Sequence, residues 1–439
     1  MITRLRAENF KSWKDTGDLR LGRLTGLFGT NSSGKTSILQ ILPLLKQTAE
    51  FPDRNRVLYT GNQESPVYLG TLPEIIHGHQ ADSGFRLSVT WAGKQLLVDI
   101  VNPIFGDRFY PLPEITFQTS IIWRAERPTV DFFEYSLSGE RLGMRRTAGP
   151  DDIYELTHNG KMLEQSKLDG PEGAWLLPPP IKCYGFPSET QKYFSDVSFA
   201  PALQLAFENF LAKVHYLGPI RSYPQRVYEW GGETPMDTGW DGDQAVAGLL
   251  ASKAVEQVAK WLKQMGLIYS FRLNAVGEAR TVYQCHVKIT PTATEVLLPD
   301  VGFGVSQILP VLANCAMLPE GSTLLLEQPE IHLHPFAQAA LADVLIDAIK
   351  NRNLQIIVES HSDHLLRRIQ RRIAREVLDP DDTALYFCHL ENGTSAIEKL
   401  DVDNYGNIRN WPKDFFGDEM GELADMTVAA MERQKAGRQ

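Results

Sequence analysis

Leu24-Thr-Gly-Leu-Phe28 runs straight into Gly29-Thr-Asn-Ser-Ser-Gly34-Lys35-Thr36-Ser37, and the reading of this stretch decides the rest. The apolar run has the look of a strand. After it, Ile38, Leu39, Ile41, Leu42 and Leu45 recur at helical spacing through residues 33–46. Between strand and helix stands G-x-x-x-x-G-K-T, a phosphate-binding pattern. Gly29 and Gly34 let backbone N–H groups curl around a phosphate, and Asn31, Ser32 and Ser33 complete the loop. The helix N-terminus adds partial positive charge. Lys35 is a point charge for the β- and γ-phosphates, the Thr36 hydroxyl is a ligand for Mg²⁺, and Ser37 follows into the helix. ATP and Mg²⁺ are therefore the expected cofactors.

Working outward, residues 2–28 hold two strands, the second being the one that enters Gly29. Residues 84–101, 114–124 and 129–137 are rich in Val, Ile, Phe and Thr and predict an antiparallel, β-rich section. A Pro- and Gly-rich stretch at 170–187 marks an edge. Helices are expected at 197–213 and 243–265, and a strand at 281–290. The last third alternates: strand 322–326, helix 336–350, strand 354–358, helix 362–378, strand 384–389. That order implies a parallel sheet with crossover helices. The division expected is an N-terminal lobe at 1–190, a helical or mixed insertion at 191–290, and a C-terminal αβ lobe at 291–439. Sustained heptads are missing, so no long coiled coil is expected.

Composition narrows the function classes. Of 439 residues, 22% are charged and 43% hydrophobic, as in a soluble globular protein. No run is long and apolar enough to span a bilayer, so a cytoplasmic protein without membrane contact is expected. The four cysteines lack metal or disulfide spacing. Net charge is −10, so nucleic acid would need a local basic patch.

Three further motifs bear on chemistry. Ser322-Thr-Leu-Leu-Leu-Glu327-Gln328-Pro329-Glu330 is an apolar strand ending in acid, and Glu327 is the expected metal-side carboxylate opposite Thr36. Asp300-Val-Gly302-Phe-Gly304-Val-Ser306-Gln307 precedes an apolar helix at 308–318. Its glycines and Ser306 read either as an anion-binding turn or as an ordinary cap. His361 follows the strand 354–358, where it points at the crevice beyond the strands' carboxyl ends. There it could hydrogen-bond a γ-phosphate or the attacking water. The H-x-H pairs His77/His79 and His332/His334 have no further ligands at zinc spacing. On the helix after His361, Arg367, Arg368, Arg371, Arg372 and Arg375 line one face, either paired with acids or available to DNA through Arg367, Arg371 and Arg375.

In their order and spacing, these motifs resemble an α/β ABC-type ATPase head: a mixed sheet around a P-loop, with a β-rich lobe. The branch resembled is the OLD/SMC/RecF-like one, and within it the bacterial DUF3696-type ATPases, ATPase subunits of anti-phage defence systems. Asn31, the run Glu327–Pro335, Tyr216-Leu-Gly-Pro-Ile-Arg221 and Asn410-Trp-Pro-Lys-Asp-Phe-Phe416 carry that resemblance. It implies that two heads sandwich two ATP molecules, Gly304 and Ser306 completing the partner's site. Residues 331–335 would run along the dimer interface, and His361 would be the switch. A homodimer or higher even-numbered oligomer is thus expected, with an effector such as a nuclease or toxin acting in trans. A RecF-like ATPase that clamps DNA is the alternative.

Two departures matter. Glu327 stands where the pattern has Asp, and Gln328 where it has the catalytic Glu, which leaves Gln328, Glu330 and His361 as candidates around the attacking water. The glutamine loop is unplaced, with Gln63, Gln80 and Gln191 as candidates. Hydrolysis is expected to be slow. OLD-type nucleases add a Toprim domain, and the tail after His361 is shorter than such a domain needs.

Overall fold

The computed structural model describes residues 1–80, 83–92, 114–149, 152–164, 176–194, 197–412, 415, 425–430 and 433. The second half of the β-rich stretch 84–101, the start of the stretch 170–187, and residues 413, 414 and 416 of the C-terminal motif lie outside these.

A six-stranded sheet forms the centre, in the order Val214–Leu217, Thr323–Glu327, Gln355–Glu359, Leu24–Gly29, Thr383–Glu391, Thr394–Lys399. The first five strands are parallel, and the last turns back antiparallel. Every residue of Leu24–Gly29, Thr323–Glu327 and Gln355–Glu359 is buried, which explains their unbroken apolar runs: both faces are covered. One face packs on the helices Phe303–Met317, Pro335–Arg352 and Asp363–Ala374, through Leu324, Leu326, Ile356 and Val358. The other face, through Leu325 and Ile357, joins the helices Lys35–Leu39, Ile41–Glu50 and Ala200–Ala212 to a second layer.

That second layer is a nine-stranded sheet built from Ile2–Phe10, the short strands Trp13–Asp15 and Leu19–Arg20 that pair with it, and the six strands from Gly84–Trp91 to Lys161–Met162. Its strands Ile2–Phe10 and Gly84–Trp91 largely alternate buried residues with partly or fully exposed ones, as an antiparallel sheet does with one wet face. Residues 2–28, expected to hold two strands, hold the start of four: Ile2–Phe10, Trp13–Asp15 and Leu19–Arg20 enter this sheet and Leu24–Gly29 the central one. Buried Gln355 staples the layers: its Oε1 accepts from Ile2 N at 2.8 Å and its Nε2 donates to Ile2 O at 2.6 Å.

Three expectations about elements need correction. The stretch 191–290 is not wholly an insertion, because Val214–Leu217 forms the edge of the central sheet beside the acidic strand. The helix expected at 308–318 begins at Phe303, so Gly304 and Ser306 lie in its first turn rather than before it. Helix 243–265 is two helices, Ala245–Ser252 and Val255–Gln264, broken by left-handed Lys253. Among the described residues no helix is long and apolar enough to cross a membrane.

Candidate functional site

The carboxyl ends of four parallel strands converge where Gly29 begins its loop. Gly29 has φ 133°, and a side chain there would run into the Cys388 carbonyl of the neighbouring strand. Gly34, at φ 89°, caps the helix Lys35–Leu39, and a Cβ would stand 2.6 Å from Trp13 Nε1 and 2.7 Å from Ser12 Oγ. Only glycine fits either position. The Trp13 indole donates to Gly34 O at 2.9 Å, so the hairpin after Ile2–Phe10 fixes the loop from outside. Asn31 and Ser32 face solvent, whereas Ser33 is buried with its hydroxyl donating to Thr30 O at 2.8 Å. Ser37 is buried in the helix.

Lys35 folds back into the loop. Its ammonium donates to Thr30 O at 2.6 Å, Gly29 O at 3.2 Å and Ser33 Oγ at 3.3 Å. Burial lowers its pKa, with Glu359 and Glu330 among the groups opposing. A desolvated ammonium held on neutral oxygens is a ready partner for a polyphosphate.

The Thr36 hydroxyl donates to Glu359 Oε2 at 2.8 Å. Sequence reasoning passed over Glu359 and placed Glu327 opposite Thr36. Glu327 and Glu359 are register partners at the ends of adjacent strands. Glu327 is instead held from the sheet edge: Tyr216 OH donates to its Oε1 at 2.7 Å, and Arg221 Nη2 to its backbone carbonyl at 2.9 Å. Burial first, and the neighbouring Glu359 charge, push the Glu327 carboxyl up to about 7. Glu359 is also raised, chiefly by burial. Two desolvated carboxylates beside a threonine hydroxyl form an oxygen donor set suited to Mg²⁺, which would discharge their mutual repulsion and release protons on binding.

Gln328 follows in a left-handed conformation, φ 43°, its N–H donating to Glu359 O at 2.9 Å. Glu330 is buried and accepts the backbone N–H of His361 on Oε1 at 2.7 Å. The acidic turn and the histidine are thus one unit. The His361 imidazole is kept low by burial and by Lys35, while a hydrogen bond with the Gly29 backbone opposes them. Structure brings together Gly29, Lys35, Thr36, Glu327, Gln328, Glu330 and His361. Gln63, Gln80 and Gln191 are exposed, with no described hydrogen bond to the loop.

Gly304 and Ser306 lie elsewhere. A Cβ on Gly304 would approach His332 O to 2.7 Å, so glycine lets the helix start press on the loop 331–335. Ser306 is buried, its hydroxyl donating to Phe303 O at 2.8 Å; the helix start exposes Gly302 and Phe303 instead. Phe303 contacts Tyr223 and His332 rings at 5.3 and 5.0 Å. Of the arginine stripe, Arg367 pairs with Asp363, and Arg368 and Arg372 with Asp343. Arg371 and Arg375 are exposed. Asp403 accepts from Tyr405 N and Asn407 N, each at 2.9 Å, in a local turn. Among the described residues no group of three or more His, Cys, Asp or Glu is placed to hold a metal ion.

A test of the outer clamp follows. Trp13→Phe keeps the packing but orphans the Gly34 carbonyl, and ATP affinity is expected to fall about fivefold. Titration with a fluorescent ATP analogue checks this; unchanged affinity would mean that the indole does not set the loop.

Residues 289–367 match the family model "AAA domain, putative AbiEii toxin, Type IV TA system". Residues 378–426 match "Protein of unknown function (DUF3696)". No curated protein matches the chain. Solved structures similar to it include an Smc head bound to the C-winged helix domain of ScpA, at 13% identity and TM-score 0.43, covering 92% of this chain and 98% of that one. An SMC head domain from Thermotoga maritima has 12% identity and TM-score 0.42, over 91% and 99%. An Smc head with an extended coiled coil bound to the C-terminal domain of ScpA, derived from Pyrococcus furiosus, has 13% identity and TM-score 0.41, over 91% and 96%.

Proposed function

We propose that this chain is a P-loop ATPase of the SMC/ABC-like branch that binds ATP, dimerises around it and hydrolyses it slowly; its matches to the AAA-domain and DUF3696 models over parts of the chain support the reading. In this reading the dimer gates an effector, such as a nuclease or toxin, acting in trans in bacterial defence. The observation that carries it is the convergence of Lys35, Thr36, Glu327, Glu359 and His361 at the ends of adjacent parallel strands. Gly29 to Ser37 would hold the triphosphate. Thr36, with Glu327 and Glu359, would hold Mg²⁺, which draws charge from the phosphate oxygens. Gln328 would orient water, but a neutral amide does not take its proton. The toxin–antitoxin description of the matching family supports the defence setting.

Dimerisation is supported by side chains left in solvent around the helix start and the loop 331–335. Ile220 is 81% exposed, Tyr223 79%, Phe336 59% and Phe303 37%. Such grouped apolar exposure marks association surfaces, and two copies would pair isologously. Because Ser306 is buried, the test uses Phe303. Wild type is expected to become dimeric with ATP and Mg²⁺ by light scattering, with ATPase rate per molecule rising with protein concentration. Phe303→Arg should keep ATP binding and lose both. The same mass with and without nucleotide in wild type and variant would sink the composite site.

The DNA-clamping alternative rests on Arg367, Arg371 and Arg375. All three are exposed: Arg367, although paired with Asp363, Arg371 on the same helix, and Arg375 at its end.

A further inference from the structure

Arg221 enters from the sheet edge, four residues past the end of Val214–Leu217. Its neighbours Ile220 and Tyr223 stand in solvent, yet Arg221 itself is only 3% exposed. Of its donors, Nη2 is bonded to Glu327 O, whereas Nε and Nη1 are buried without a hydrogen-bond partner. Burying two guanidinium donors with no protein acceptor is costly, so something in the site must repay it. Glu330 Oε2 is likewise buried without a partner.

The surroundings show what the guanidinium does. Three buried carboxylates, Glu327, Glu330 and Glu359, gather here. Lys35 is committed to the phosphate loop, and Lys11, which interacts with Glu327, is bonded to Gln40 Oε1 at 2.8 Å. Arg221 interacts with Glu330 and Glu327, in that order of strength. Burial lowers its pKa to about 10, which still leaves it fully charged at neutral pH. Its bond to the Glu327 carbonyl also holds one side of the peptide whose other side, Gln328 N–H, is held by Glu359 O. That peptide leads into the left-handed Gln328, a conformation that a non-glycine residue adopts only when its neighbours hold it there.

We infer that Arg221 is a positioning residue for ATP hydrolysis, locking the Glu327–Gln328 peptide and carrying the permanent positive charge of the acidic turn. It acts through Glu327, Gln328 and Glu330, not on the nucleotide. This inference rests on the ATPase reading above.

The experiment compares Arg221→Met and Arg221→Lys with wild type in equilibrium binding of a fluorescent ATP analogue, steady-state ATPase, and thermal unfolding. Arg221→Met is expected to lower kcat about 100-fold with KM within about threefold of wild type, because the loss is one of alignment. Arg221→Lys restores the charge but not the planar fork, and should lower kcat only about tenfold. Should the Met variant not fold, the Lys variant decides by the same split. A folded variant with wild-type kcat overturns the inference. So does an ATP affinity that falls as far as kcat, since that is the mark of general collapse of the site. A wild-type protein that neither binds nor hydrolyses ATP overturns the ATPase reading itself, and this inference with it.

Discussion

Lys35→Ala is expected to abolish measurable ATP binding. Among the described residues the ammonium is the one cation whose hydrogen bonds lie within the loop, on Gly29 O, Thr30 O and Ser33 Oγ. Removing a charged donor from a buried site costs about 1.5–3 kcal/mol for each bond lost. Loss of two bonds to phosphate oxygens corresponds to at least roughly 100-fold in affinity. Among the described residues Lys35 touches no side chain outside the loop by hydrogen bond, so the variant should keep the wild-type circular dichroism spectrum. Titration with a fluorescent ATP analogue, with and without Mg²⁺, decides the matter. A folded variant with wild-type affinity would show that Gly29–Ser37 is not the phosphate site.

The second large effect concerns hydrolysis. Wild type is expected to turn over slowly, and Gln328→Glu to be faster by about 100-fold, within the 10²–10⁴ range that a general base contributes. Glu330→Gln separates two roles. Glu330 receives the His361 N–H on Oε1, a bond that a glutamine carbonyl also accepts. If Glu330 only positions the histidine, Glu330→Gln should change the single-turnover rate by less than about tenfold. If Glu330 is the base, a fast wild type should collapse by about 10²-fold or more in the same variant. Gln328→Glu no faster than wild type would show that the amide is not what limits the rate.

The phosphate loop and the alternating last third were legible in the sequence, because each rests on local patterns: a glycine-lysine spacing, and apolar runs separated by amphipathic helices. Glu359, Tyr216 and Arg221 were not, since their place depends on which strands lie side by side. Val-His-Tyr-Leu at 214–217 is too short to announce a strand, and the parallel neighbour that makes it one lies more than a hundred residues away. Glu359 did leave a signal: it ends its apolar strand as Glu327 ends its own. The start of the helix at Phe303 was hidden because Gly302 and Gly304 read as a turn, whereas Gly304 serves the close approach to His332. Gln355, polar within an apolar strand, gave no hint that it bridges to Ile2.

The strand Leu24–Gly29 lies between Gln355–Glu359 and Thr383–Glu391, partners that follow it by roughly 330 residues or more. During synthesis it must wait for them. At about 5–20 residues per second, the interval is on the order of 20–70 s. A nascent chain in that interval has its loop sequence complete but neither flanking strand to shape it. Nucleotide therefore cannot act as a template for the amino-terminal half, and a ribosome stalled before residue 355 would carry an exposed apolar strand as a target for chaperones. Competence arrives late and all at once, with the carboxyl-terminal third.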